Sequence, residues 1–412
     1  MGLSANSRID TRQFSVFAVA LLWATLLLSL ASGAKGQAVT QPKVDEDPSG
    51  APYVAGELLV AYEPGTSAQT EQAVVRRSGG QTAEELSGRI RLLAFPGIRR
   101  NTSEQARERA LQRRLEDLRD EPGVAAADYN HIYRASFVPD DPRYAGQWGL
   151  RRAAFPGAWN DSRGAGVKIA IVDSGLDSNH PDIGGKISAQ RDFVADDAVA
   201  NDPHGHGTHV AGIAAALTDN SKGVAGGCLS CKLLVARVLN ERGNTDAFTL
   251  MSGINWSANN GADVINLSLN GPDNGSLETA INNAAASGAV IVASAGNNGE
   301  PRYPAAYQKV IAVSATNKND GHPSFSNQGN YVDLAAPGTN ILSTWAGGGY
   351  AGASGTSESA PFVSALAGLL ASEGKTATEI RRRMQSTATD LGASGDDPKF
   401  GHGRINANRA VP

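Results

Sequence analysis

The sequence predicts an α/β protein, a parallel sheet with helices on both faces, preceded by a small α+β unit. Two observations lead there. Beyond about residue 137, strand candidates at 167–172, 232–238, 262–267, 289–293, 310–314 and 331–334 alternate with helix candidates at 209–217, 245–259 and 277–286. The strands read as near-continuous apolar runs, the pattern of a parallel sheet buried on both sides. Before that point the periods run strand (57–62, ELLVAY), helix (66–77), strand (89–95), helix (104–119) and strand (124–133). The second of these helices is charged, with Ala110, Leu111, Leu115 and Leu118 as its apolar stripe.

The 412 residues exceed one domain of ordinary size. Residues 1–34 read as an export signal: Arg8 and Arg12, then an apolar run from Phe14 to about Ala31, then small residues. An uncleaved membrane anchor is the other reading of that run. Residues 35–52 are polar and Pro-bearing and read as a linker, 53–136 as the small domain, and 137–412 as the larger one. Lys+Arg 37 against Asp+Glu 41 gives a net charge of -4, which offers no basis for a nucleic-acid or anionic-membrane partner. Cys228 and Cys231 are the two cysteines. In an exported chain the C-x-x-C pair favours a disulfide closing a very small loop; a zinc site lacks a second pair.

Three segments carry chemistry. In 169–179 (IAIVDSGLDSN) Asp173 ends a buried strand. In 204–212 (HGHGTHVAG) a His opens an apolar helix. In 354–361 (SGTSESAP) Ser357 opens another. A Ser hydroxyl becomes a nucleophile when a His takes its proton, and a carboxylate holds that His in the right tautomer. A fourth segment, 290–299 (VIVASAGNNG), puts Asn297 in a Gly-bounded turn after a strand, where its amide can donate to an oxyanion. Taken singly, each has a plainer use as turn, cap or core residue.

Together these segments resemble the subtilisin-like serine proteases, the subtilases, in the order Asp, His, Asn, Ser. The motifs IVDSGLDSNHPD, HGHGTHVAGIAAAL, KLLVARVL, INLSL, SAGNNG, AAPG and SGTSESAP carry the likeness from about Asp141 to Ala407, most of all to thermitase-like secreted members. The resemblance implies a subtilisin-like fold and an endopeptidase with Asp173 as orienting acid, His206 as base, Ser357 as nucleophile and Asn297 as oxyanion donor. It implies pocket walls at Ser268, Leu269, Asn270 and Ala293, Ser294, Ala295, Gly296. His209 is expected to pack at the helix start. Segments 57–65 and 123–133 resemble the ends of subtilase propeptides, so the small domain is expected to be a ferredoxin-like chaperone and inhibitor, removed by self-cleavage between about Tyr133 and Asp140. Calcium is the ion implied, with Asp141, Asp182, Leu217, Asn220, Lys222 and Val224 at one site and Asp192, Asp197 and Asn201 at a second, weaker one. A monomer acting on proteins and peptides, secreted and without lasting membrane association, completes the expectation.

The sequence departs from the family in three places. Glu358 stands where Met usually follows the nucleophile, and Ser359 where Ala is usual. Asn270 replaces a Gly of the cleft strand. An ionised Glu358 would suit the helix dipole, hold His206 protonated to higher pH and remove an oxidisable sulfur. Three rival functions remain: a zinc hydrolase built on His204, His206, His209 and Asp173, a subtilase fold without activity, and, remotely, a dinucleotide-binding protein, for which the Gly pattern is wrong.

Overall fold

The computed structural model describes residues 43–48, 51–86, 89–100, 103–133 and 137–411. The expected export signal, 1–34, lies outside them. The chain divides into two units, Met1–Ile132 and Tyr133–Pro412.

The first unit is a five-stranded antiparallel sheet: β1 (Val44–Glu46), β2 (Pro52–Tyr62), β3 (Gln81–Leu86), β4 (Ile90–Ala94) and β5 (Val124–His131), with β2 paired to β1, β4 and β5. Helices α1 (Ala68–Ser78) and α2 (Glu104–Arg119) pack against it. Ser67 and Ser103 cap their N-termini by accepting from Thr70 and Ala106 amides. Leu58, Val60, Val74, Leu93, Leu111 and Leu115 fill the core.

The expected linker 35–52 is therefore not all linker, since β1 lies inside it and pairs with β2. Its polarity is misleading for a specific reason. Asp45 is buried because Arg107 of α2 comes to it, Nε donating to Oδ2 at 2.8 Å and Nη2 to Oδ1. β3 also escaped notice, because all six of its side chains are exposed and polar enough to hide the period.

In the second unit, a seven-stranded parallel sheet runs in the order β12-β11-β10-β9-β6-β8-β7. The strands are β6 (Lys168–Asp173), β7 (Ile187–Asp192), β8 (Lys232–Arg237), β9 (Val264–Leu267), β10 (Val290–Ser294), β11 (Val310–Thr316) and β12 (Leu334–Pro337). Alternate side chains feed two cores. Ile169, Ile171, Leu233 and Val292 face α3 (His206–Ala215) and α6 (Thr356–Ala371). Ala170, Val172, Leu234 and Ile291 face α4 (Ala247–Asn259) and α5 (Gly275–Ala286). A hairpin, β13 (Ile341–Trp345) with β14 (Gly349–Ala353), follows the sheet.

The strand expected at 331–334 is shifted to Leu334–Pro337. Asp333 takes residues before it out of the ladder, because its carboxylate accepts from the Ala312 amide at 2.9 Å and from Arg381 at 2.6 Å. Cys228 and Cys231 form a disulfide, Cα atoms 5.4 Å apart, both fully buried beside α6 at Gly368. β6 is central, with β8 on one side and β9 on the other. Its carboxyl end is thus a topological switch point, the place where open parallel sheets present ligands.

Candidate active site

Asp173 is the last residue of β6 and is fully buried. Its Oδ1 accepts from the Ser174 amide and from His206 Nδ1, each at 2.7 Å. Its Oδ2 is buried with no hydrogen-bond partner among the described residues. His206 is the first residue of α3, starting the helix three residues earlier than expected. Gly205 makes that start possible. It holds φ 96° in the left-handed region, and a Cβ there would lie 2.6 Å from the Trp345 ring.

A carboxylate that sequence reasoning missed braces this corner. Asp202 Oδ1 accepts from Ser174 Oγ at 2.8 Å and Gly205 N at 2.7 Å; Oδ2 accepts from Thr208 N at 2.8 Å and Thr208 Oγ1 at 2.6 Å. Ser174 Oγ in turn accepts from Gly207 N at 2.9 Å. The turn holding Asp173 and the turn holding His206 are thereby one hydrogen-bonded unit. Burial pulls the His206 imidazolium pKa down, but the charge and hydrogen bond of Asp173 outweigh it. Glu358 and Asp202 add to the raise when ionised, and the value stands at about 9.

Ser357 is the second residue of α6, which packs on α3. Its Oγ donates to the Ser268 carbonyl at 3.1 Å, and Ser268 Oγ donates to the Ser357 carbonyl at 2.8 Å. Behind Ser268 stand Asn266 of β9, whose Nδ2 donates to Ser268 Oγ at 2.9 Å, and Ser364 of α6, whose Oγ donates to Asn266 Oδ1 at 2.8 Å. The polar Asn266 and Ser268 in the run INLSL were the readable signal for this chain of bonds. Asn297 Oδ1 accepts from Thr356 N at 2.9 Å and from Thr356 Oγ1 at 3.0 Å. With its oxygen so occupied, the amide presents Nδ2 at the start of α6, 3.2 Å from where a Cβ on Gly355 would sit.

Beside these groups runs a cleft of about 550 Å³. His206, Ser268, Leu269 and Asn270 line it. Ala293, Ser294 and Ala295 are fully buried at the end of β10 and do not line it, nor does Gly296. Their backbone is spoken for: Ala295 O accepts from Tyr331 Oη at 2.9 Å, and Gly296 N donates to Thr356 Oγ1 at 3.0 Å. Arg242, Asp246, Leu250 and Tyr303 also line the cleft and were not foreseen.

A family model described as the subtilase family matches residues 164–403. The chain belongs to the subtilase family. It is 45% identical to thermitase of Thermoactinomyces vulgaris over 279 residues, 67% of this chain and 99% of that protein. It is 39% identical to a thermophilic serine proteinase of Bacillus sp. (strain AK1) over 365 residues, 87% of this chain and 88% of that protein. Among solved structures, a protease from Pseudoalteromonas arctica aligns with TM-score 0.62 and 31% identity, covering 67% of this chain and 99% of that one. This subtilase is a serine-type endopeptidase, resembling thermitase.

Two groups of acidic residues were expected to hold cations. At the first, Asp141 and Asp182 are both buried, and burial raises the pKa of each. Asp141 Oδ1 is an orphaned buried oxygen among the described residues. Asp182 accepts from Asn220 Nδ2 at 2.9 Å and from Val224 N at 2.8 Å, which draws the loop 217–224 over it. Two buried carboxylates, one with an unpartnered oxygen, beside a loop rich in carbonyls fit a hard cation. The second group does not fit. Asp192 Oδ2 already pairs with Arg237 at 2.6 Å, and its Oδ1 accepts from Val194 and Ala195 amides. Asp197 Oδ1 caps Val199 N at 2.7 Å, and Asn201 is an exposed loop residue.

The zinc reading of His204, His206 and His209 fares no better. His206 turns Nδ1 to Asp173, while fully buried His209 turns Nε2 to the Ile341 and Ala351 carbonyls. Among the described residues there is no cluster of three His, Cys, Asp or Glu disposed to hold a metal. The Asp202 brace predicts a measurable effect. Asp202→Ala should lower kcat by about 10- to 100-fold with little change in KM, because misplacing a reacting group by about 1 Å has that consequence. Steady-state kinetics on a peptide ester and amide would check it.

Proposed function

We propose that this subtilase is exported as a zymogen and cleaves peptide bonds through an acyl-enzyme. In this reading Ser357 is the nucleophile, His206 the base, Asp173 the orienting acid and Asn297 the oxyanion donor. The 2.7 Å contact between His206 Nδ1 and the buried Asp173 carboxylate carries the proposal. That bond fixes the proton on Nδ1, so Nε2 bears the lone pair that a base requires.

The chemistry follows from the groups described. Ser357 rotates its hydroxyl from the Ser268 carbonyl toward His206, and such bonds are often loose before substrate binds. Oγ attacks the scissile carbonyl carbon as its proton passes to Nε2. The imidazolium formed is stabilised by Asp173. Negative charge on the former carbonyl oxygen meets Asn297 Nδ2 and the amide of Ser357 at the α6 N-terminus. Loss of one such donor from subtilisin lowers kcat by about 10²–10³, and the Asn297 amide is oriented for that duty by Thr356. The imidazolium then protonates the leaving amine, and water reverses the steps to free the acid. The cleft, with mixed polar and apolar walls, suits an extended segment of protein or peptide.

The first unit is proposed to act as propeptide, a chaperone and intramolecular inhibitor. Its position directly before the catalytic unit supports this. Calcium is proposed at Asp141 and Asp182, with Asn220 and the carbonyls of Leu217, Lys222 and Val224. Bound there, Ca²⁺ would neutralise two buried carboxylates that otherwise face each other's charge.

Three results are expected. Purified wild type should lose residues preceding about Asp140, whereas Ser357→Ala should stay full length; mass spectrometry distinguishes them. Because the base must be unprotonated and Asp173 holds its pKa above that of a free imidazole, kcat/KM should rise with pH through an acid limb lying above pH 6.5 and level off beyond it. Chelation of calcium should shorten the thermal-inactivation half-life of the mature enzyme, with excess Ca²⁺ restoring it. Asp182→Asn should abolish that restoration.

A further inference from the structure

The residue after the nucleophile meets a histidine that the proposed mechanism does not use. Glu358 Oε1 lies 3.7 Å from His209 Nδ1, and the two side chains are 4% and 0% exposed. We propose that Glu358 is held as a neutral carboxylic acid, its proton directed to the Nδ1 lone pair of His209, so that this buried pair carries one proton and no net charge beside the catalytic groups.

The tautomer of His209 decides the matter. Its Nε2 lies 3.0 Å from the Ile341 carbonyl and 3.1 Å from the Ala351 carbonyl. Both are acceptors, so Nε2 must carry hydrogen. In the neutral ring Nδ1 is then a bare lone pair, buried and without a hydrogen-bond partner. A carboxylate anion facing that lone pair would be repelled in a site from which water is excluded. One proton between them converts repulsion into attraction, and a small side-chain rotation closes 3.7 Å to hydrogen-bond length. Burial pushes the His209 imidazolium down to about 4, and burial raises the Glu358 acid, so the proton rests on the carboxyl.

The charged groups around the pair are few. His206 of α3 acts on both members, favouring an ionised Glu358 when it is itself protonated. Asp173 of β6 acts on Glu358 in the opposite sense. Asp202 acts on His206, and the His204 ring stands edge-on to it at 6.1 Å. Gly355 leaves the space: a Cβ there would lie 2.8 Å from Glu358 Oε2. The ionised carboxylate expected from the sequence is thus replaced by an acid that leaves the base to Asp173. Glu358 follows Ser357 by one residue and His209 follows His206 by three, so the pair joins the two helices that bear nucleophile and base. Glu358 is a positioning residue in that sense.

This inference rests on the proposed roles of Ser357 and His206, and two measurements separate it from them. In the mature enzyme, Glu358→Gln keeps the shape of the neutral acid. Its acid limb of kcat/KM against pH should coincide with wild type within about 0.3 unit, whereas removing an ionised carboxylate beside His206 would lower the limb by about 1 unit. A drop of that size overturns the proposal. Glu358→Met, the side chain usual at this position in the family, gives the same comparison where Gln does not fold. The second measurement needs no catalysis. Infrared difference spectra of full-chain Ser357→Ala against Ser357→Ala with Glu358→Gln, at neutral pH, should show loss of a protonated-carboxyl stretch. Loss of a carboxylate stretch instead overturns the proposal, whatever becomes of the nucleophile assignment.

Discussion

Asp202 receives five hydrogen bonds, three on Oδ1 and two on Oδ2, and through them the end of β6 and the start of α3 behave as one corner. Buried carboxylates are costly unless fully partnered, and this one is. Everything nearer the chemistry inherits its geometry from that corner. Asp173 can meet His206 at 2.7 Å because their turns cannot separate, and Gly205 can sit against Trp345 because the turn is already fixed.

Ser357 is anchored from another direction. Ser364, Asn266, Ser268 and Ser357 form a buried relay that pins the first turn of α6 to β9. The parallel sheet supplies the rigid platform, and its two cores, one beneath α3 and α6 and the other beneath α4 and α5, hold the strands from both faces. The site thus stands at the switch point of the sheet on elements packed from both faces, with a cleft beside it.

The catalytic unit was largely legible in the sequence, because buried parallel strands write themselves as apolar runs and four motifs fall at element ends. What could not be read had physical causes. β1 and β3 are polar or exposed, so neither shows a period, and the partner that buries Asp45 is 62 residues away. Asp202 looks like a turn residue until its five donors are assembled in space. Asp192 looks like a cation ligand until Arg237 arrives from the neighbouring strand. Glu358 looks like a charged first-turn residue until His209, from another helix, is set against it.

One tie has a consequence for the life of the molecule. The carbonyl oxygen of the Asn297 side chain is gripped by Thr356, the residue preceding Ser357. The group that would receive the oxyanion and the group that would create it are therefore assembled by a single docking event. A nascent or damaged chain in which α6 has not seated lacks both at once. The two groups therefore come into place, and are lost, together.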